Sequence, residues 1–322
     1  MSTVPIPENV FDVVVIGGGP AGLTAGLYAA RADMKTLCIE GGSTVSQIAV
    51  TDLVENYPGI EEIGGSELVD RIRNQAARFG VQFTSGDVAS IERESIGDLD
   101  GWRVKTEDDI FTTLAVIVAT GANWRRLGVT GEETLIGKGV SFCATCDGPF
   151  YRDREVVVVG GGDTAVQEAL FLTRFAKKVT IVHRRDRLRA VGILRDRASR
   201  NEKIHFIWNT VVTEILGDPS VKGVRLQNVM DPGDVREIPA DGIFIFVGLV
   251  PNTKFLEGVV DLDPQGYVAA DSHMRTSAKG IFACGDCNRK LLRQAVTACG
   301  DGATAAAAAQ HYVEGLKGIA YK

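Results

Sequence analysis

Cys143 and Cys146 stand two residues apart in the stretch SFCATCDGPF (Ser141–Phe150), with Asp147 directly after the second. Thiols at this spacing serve one of three chemistries: half of a zinc tetrahedron, a structural staple, or a pair that cycles between dithiol and disulfide. The spacing brings two sulfurs within bonding distance at low strain, and a nearby helix N-terminus or charge lowers a thiol pKa so that thiolate exists near neutral pH. A zinc reading would need the chain's other C-x-x-C, Cys284 and Cys287, but 141 residues separate the two pairs, far more than in ribbons and fingers. Cys284 and Cys287 read as packing thiols, and Cys38 and Cys299 as buried small hydrophobes.

Composition bounds the rest. A chain of 322 residues, at about 150 per domain, is expected to fold as two domains. Apolar residues at 45% and charged residues at 24% are those of an ordinary globular protein. The net charge of -6 offers no positive field for a phosphate backbone, so nucleic acid is not an expected partner. No leader-like pattern opens the chain, and no apolar run approaches the roughly 18 to 20 residues that span a bilayer. Six cysteines are too few for a disulfide scaffold at this length, and a cytoplasmic protein without membrane contact is the expectation.

The elements that must position the thiols come from a repeat. Phe11–Glu40 and Arg154–His183 align without a gap at an offset of 143 residues. Each opens with a β-branched run suited to a buried parallel strand, reaches three glycines, continues at helical spacing and closes in a second strand (KTLCIE, KVTIVH). Each is a βαβ unit. In the first, Gly17, Gly19 and Gly22 form G-x-G-x-x-G between strand and helix, where bare backbone and a helix N-terminus can receive a pyrophosphate. In the second, Gly160, Gly162 and Ala165 form the permitted G-x-G-x-x-A. Pro20 and Ala21 in the first loop, and Asp163 and Thr164 in the second, are candidate cofactor-binding residues with them.

The ends of the second strands indicate which nucleotide each unit takes. Glu40 lies 23 residues after Gly17, where a carboxylate accepts hydrogen bonds from ribose hydroxyls and repels a 2'-phosphate. His183 lies 23 residues after Gly160 and opens HRRDRLR, which puts Arg184, Arg185 and Arg189 where the carboxylate would have been. Guanidinium groups match a phosphate in charge and fork geometry, so this pocket should prefer NADPH to NADH. The plain alternative is a solvated basic face. Two dinucleotide sites in one chain indicate a relay between cofactors.

Further along come VENYPG (Val54–Gly59), VIVATGA (Val116–Ala122), GIFACGDC (Gly280–Cys287) and LRQAVTACGDGATAA (Leu292–Ala306). With CATCD at Cys143–Asp147 just ahead of the second nucleotide unit, the chain resembles the low-molecular-weight thioredoxin reductases over essentially its whole length. The resemblance implies an α/β fold of two Rossmann-like dinucleotide-binding domains, the NADPH domain (122–251) inserted into a discontinuous FAD domain (1–121 and 252–322). It implies FAD contacts at Ala119, Thr120 and Gly121, at Gly285 and Asp286 of the GD turn, at Arg293, Gln294 and Ala295, and at Gln47 and Asn56. It further implies that Cys146 receives electrons from the flavin, that Cys143 attacks the disulfide of a thioredoxin partner, and that Asp147 gives and takes the proton. Against the last stands a plain Asp-Gly turn. A homodimer, and a rotation of one domain against the other about residues 121–124 and 248–252, also follow from the resemblance.

Rival readings are a relative with ferredoxin or reduced flavin as electron donor, a reductase of another disulfide, and a non-enzymatic redox sensor. Arg184, Arg185 and Arg189 argue against the first. Two departures from the family stand out. Val45 and Ser46 precede Gln47 where the family usually has Gly-Gly, and Cys284 replaces a usual small residue such as alanine. Trp102, Trp124 and Trp208 read as packing residues, and the four histidines show no ligand spacing.

Overall fold

The computed structural model describes residues 7–42, 46–51 and 53–320, so Val45 lies outside it. The chain forms two compact units, the first from residues 1–123 and 250–322, the second from 124–249.

The first unit opens as the repeat predicts, with β1 (Phe11–Ile16), α1 (Pro20–Arg31) and β2 (Thr36–Glu40). Then follow α2 (Gly65–Arg78), β3 (Gln82–Ser85), β4 (Val88–Ile96), β5 (Leu99–Thr106) and β6 (Ile110–Val118). The strand order is β3-β2-β1-β6-β5-β4. β1 pairs in parallel with β2 on one side and β6 on the other, so the order reverses beside it. Such a switch point opens a crevice past the carboxyl ends of the strands. Alternation along β1 sends Val13 and Val15 into the core with Leu23 and Ala25 of α1, and Val14 and Ile16 into the opposite core with Trp102 and Val104.

The second unit repeats the plan. It contains β7 (Val140–Ser141), the single helical turn α3 (Ala144–Asp147), β8 (Glu155–Gly160), α4 (Asp163–Leu172), β9 (Lys178–Val182), α5 (Gly192–Ser199) and β10 (Ile204–Ile207). After these come an antiparallel set, β11 (Thr210–Gly217), β12 (Val221–Asn228) and β13 (Val235–Pro239), and then β14 (Gly242–Phe246). The parallel sheet runs β10-β9-β8-β14-β7, with its switch point at β8. Val156 and Val158 pack with Val166 and Ala169 of α4, while Val157 and Val159 pack with Val212, Val224 and Leu226 of the antiparallel set.

The chain then returns to the first unit, where β15 (Ile281–Ala283) adds in parallel to the Val116–Val118 half of β6 and α6 (Ala295–Lys317) covers the Val13 face. On this side of the crossing the Asn252 amide donates to the Gly121 carbonyl at 3.0 Å; on the other, the Arg125 amide donates to the Gly248 carbonyl at 2.9 Å. Among the described residues no helix is long and apolar enough to cross a membrane. Trp102 is fully buried and Trp124 and Trp208 pack against the core of the second unit, as their reading as packing residues expects.

Candidate redox site and nucleotide cradles

β7 delivers the chain to the cysteine pair. Ser141 Oγ accepts the Cys143 amide at 3.1 Å and donates to the Cys143 carbonyl at 3.2 Å, which fixes the backbone where α3 begins. Ala144 is buried and Gly148 lies against Phe171, Leu172 and Phe175, so the turn is anchored from both ends. Cys143 and Cys146 form a disulfide with their Cα atoms 5.3 Å apart. Cys143 Sγ also accepts the Cys146 amide at 3.1 Å, so this sulfur sits at the N-terminus of the turn, where an N–H stabilises a thiolate. Cys146 is exposed, Cys143 half-buried, and Asp147 half-buried beside Tyr151. Burial pushes the Tyr151 phenol up, and the Asp147 carboxylate adds to the effect.

Among the described residues no three His, Cys, Asp or Glu side chains converge as a metal site. Cys284 and Cys287 are fully buried free thiols. Cys287 Sγ donates to the Cys284 carbonyl at 3.2 Å and its thiol is pushed up to about 11 by burial, in keeping with a packing role. Cys38 is buried as expected, but Cys299 is only half-buried and receives the Tyr57 hydroxyl at 3.5 Å.

In the first unit Gly17 takes φ +121°, and a Cβ on Gly22 would fall 1.9 Å from the Gly17 carbonyl oxygen, so this loop closes only with glycine at both places. α1 begins at Pro20 with no side chain capping its N-terminus, which leaves those amides for an anion. Glu40, at the carboxyl end of β2, is gripped by Arg73 of α2, whose Nε donates to both carboxylate oxygens at 3.0 and 3.2 Å and whose second nitrogen donates at 2.9 Å. Ala119, Thr120 and Gly121 follow β6, and Gly285 and Asp286 follow β15, at the same carboxyl edge of the sheet. Thr120 is tied to Asn252 by two hydrogen bonds of 2.7 and 3.0 Å. Gln47 donates to the Ala122 carbonyl, and Asn56 donates to Gln294 at 2.9 Å. Gln294 in turn caps α6, which starts at Ala295.

Two side chains here have buried polar atoms without a partner, Asp286 Oδ1 and Arg293 Nε. Native interiors seldom leave such atoms bare, and an unpaired acceptor beside an open helix N-terminus fits a hydroxylated, phosphate-bearing cofactor such as FAD. Burial pushes the Asp286 carboxyl up, and the neighbouring Lys290 and Arg293 cations oppose it.

The second unit has the matching cradle. A Cβ on Gly160 would fall 2.4 Å from the Phe246 carbonyl oxygen, α4 starts after Gly162 without a side-chain cap, and Ala165 is buried. The Arg189 guanidinium lies over Gly162, 3.9 Å from where its Cβ would be. Arg184 and Arg185 are exposed, as is Thr164. Asp163 spends a carboxylate oxygen on the Val191 amide at 2.7 Å, which ties the Arg189 segment to the head of α4. His183 faces inward: it is 5% exposed, stands edge-on to Trp208 and leaves Nε2 without a partner. Burial, reinforced by Arg189, Arg185 and Arg184, pushes its pKa down, so it is neutral rather than a fourth cation. The donors fit an anionic nucleotide such as NADPH.

Sequence reasoning passed over Arg73, Asn252, Lys290 and Asp301. Their signals are three-dimensional, since Arg73 meets Glu40 across 33 residues and Asn252 meets Thr120 across 132.

A model of the pyridine nucleotide-disulphide oxidoreductase family matches residues 11–302. A thioredoxin reductase of Listeria monocytogenes is 50% identical over 314 residues, covering 96% of each chain. Among solved structures, a thioredoxin reductase of Lactococcus lactis matches at 48% identity with a TM-score of 0.91, covering 95% of this chain and all of that one. A thioredoxin reductase of T. acidophilum matches at 36% identity and a TM-score of 0.88, over 94% and 98% of the two chains.

Proposed function

The chain belongs to the pyridine nucleotide-disulphide oxidoreductase family, and from that membership we propose that it works as a thioredoxin reductase, passing electrons from NADPH by way of FAD and the Cys143–Cys146 disulfide to oxidised thioredoxin. The observation that carries the reading is the disulfide at the head of α3, in a chain whose two units each keep an open nucleotide cradle. When bound, NADPH supplies hydride and FAD converts it to the electron pair that opens a disulfide.

The residues then have distinct tasks. In the first unit the α1 N-terminus and the Gly17–Gly22 loop hold a pyrophosphate, Glu40 takes ribose hydroxyls in the orientation Arg73 imposes, and Asp286 offers its bare oxygen to the ribityl chain. Ala119, Thr120, Gly121, Gln47, Asn56, Arg293, Gln294 and Ala295 line the same cofactor. In the second unit the α4 N-terminus takes the pyrophosphate, and Arg184, Arg185 and Arg189 take the 2'-phosphate. In the reduced pair the Cys143 thiolate, favoured by the Cys146 amide, attacks one sulfur of the partner disulfide and expels the other as thiolate. Cys146 then attacks Cys143, restoring the internal disulfide and releasing the partner as a dithiol. Asp147 carries protons to and from these sulfurs. The residues about 121–124 and 248–252 would serve as hinges about which one unit turns against the other. A homodimer in the cytoplasm completes the reading.

An anaerobic visible-spectrum titration tests it. NADPH should bleach a bound flavin, and oxidised thioredoxin should restore the colour as it is reduced. Flavin that stays reduced points to another disulfide substrate; flavin that NADPH never bleaches points to ferredoxin or reduced flavin as donor.

A further inference from the structure

Two charged side chains that the cofactor reading leaves unused hold the GD turn of the first unit. Asp301, in the second turn of α6, accepts the Gly285 amide at 3.2 Å and pairs with the Lys290 ammonium at 2.5 Å. Both are largely buried, with side-chain exposures of 13% for Lys290 and 19% for Asp301. The next residue is Gly302, where a Cβ would fall 2.1 Å from the Ala21 carbonyl oxygen, so this stretch of α6 abuts the first turn of α1. The pair therefore stands at the cradle itself. Removing one partner of so enclosed a pair leaves the other charge poorly solvated.

Asp286 is faced by three charges, Lys290, Arg293 and Asp301. Burial works against its ionised form, the two cations favour that form, and the Asp301 carboxylate disfavours it. Its Oδ1 is the buried acceptor that finds no partner within the protein.

We infer that Lys290 and Asp301 are positioning residues for FAD. Asp301 clamps the Gly285 amide and so sets the direction in which the turn aims Asp286, while Lys290 compensates both carboxylates and keeps Asp286 an ionised acceptor. The inference rests on reading the first unit as the FAD cradle.

Deflavinated wild-type protein and the variants Lys290→Met, Lys290→Arg, Asp301→Asn and Asp301→Ala are titrated with FAD by flavin fluorescence quenching between about pH 6 and about pH 8, with circular dichroism as the folding control. The Kd should rise roughly tenfold in Lys290→Met and in Asp301→Ala, and less in Asp301→Asn, which keeps an acceptor for Gly285. Lys290→Arg should restore affinity to within about threefold, since it keeps the charge. The Lys290→Met deficit should widen as the pH falls, because without that cation Asp286 takes up its proton at higher pH; the Asp301→Ala deficit should not widen. Folded variants that bind FAD like wild type overturn the inference. So does a Lys290→Met deficit that is the same at every pH and unrepaired by Arg, because simple packing would explain it. If Asp301→Ala fails to fold, the two Lys290 variants decide. Wild-type apoprotein that does not take up FAD overturns the cofactor reading, and the inference with it.

Discussion

A side chain on Gly161 would collide with His183: its Cβ would lie 2.4 Å from the imidazole Cε1 and 2.5 Å from Nδ1. The first unit repeats the relationship with another residue, since a Cβ on Gly18 would lie 2.9 Å from Glu40 Cγ. In both repeats the residue at the carboxyl end of the second strand, Glu40 closing β2 and His183 just after β9, props the middle glycine of the loop. Gly161→Ala must therefore displace the imidazole or the phosphate loop. The KM for NADPH should rise roughly tenfold, about 1.4 kcal/mol, with flavin content unchanged. Steady-state kinetics beside the visible spectrum reads both, and an unaltered KM would show that the contact positions nothing.

Arg73 pairs with Glu40 through a two-pronged hydrogen bond, with side-chain exposures of 39% and 24%. At that exposure the pair contributes only about 0.5 to 1 kcal/mol to folding. Its larger effect should fall on the cofactor. Arg73→Met should weaken FAD retention several-fold while lowering Tm by only a few degrees, and Arg73→Lys should recover only part, because an ammonium cannot match the fork. The ratio of flavin to protein absorbance after gel filtration measures the outcome; full retention in Arg73→Met would mean that Glu40 needs no orienting partner.

The basic segment after β9 should decide nucleotide choice. Replacing Arg184 and Arg185 with neutral residues removes charge-assisted contacts of about 1.5 to 3 kcal/mol each, so the ratio of kcat/KM for NADPH over NADH should fall by about two orders of magnitude or more. An unchanged ratio would return this segment to a solvated basic face.

Cys146→Ser should abolish reduction of a protein disulfide while leaving bleaching of the flavin by NADPH intact, since the serine hydroxyl cannot form the disulfide seen between Cys143 and Cys146. Persistent thioredoxin reduction by this variant would sink the assignment.

Thiol counting checks burial and redox state together. Burial pushes Cys38 up to about 12 and Cys287 up to about 11, and it raises Cys284 as well. Thiolate forms only as the pH climbs toward those values, so at about pH 8 the three should resist a thiol reagent in the folded protein. The oxidised chain should then show no more than the single half-buried thiol of Cys299, and NADPH reduction should add the two of Cys143 and Cys146. Three or more reactive thiols before reduction would contradict the packing role of the second C-x-x-C.

Much of this molecule was legible before its structure. β1, α1 and β2, and their repeats β8, α4 and β9, follow from β-branched runs, glycine loops and helical spacing, which act between residues close in the chain. The cysteine pairing was legible only in part, because three residues of separation permit the Cys143–Cys146 disulfide while the same separation leaves Cys284 and Cys287 as buried free thiols.

Direction and partnership were not legible. His183 stands in a run of arginines and reads with them, yet its ring turns inward, where Gly161 leaves room and Trp208 packs against it at a near-right angle. Cys299 reads as buried, but its place on α6 leaves it half-exposed beside Tyr57. Arg73 reaches Glu40, Asn252 reaches Thr120, and Asp301 reaches the Gly285 amide only once parallel strands have brought distant segments to one edge. The sequence by itself determined the local units and the chemistry they can carry, since short-range sterics and periodicity settle those. Which charges pair, and which acceptor is left bare for a cofactor, was decided by tertiary packing, because burial and long-range contacts set the energy of an unpaired polar atom.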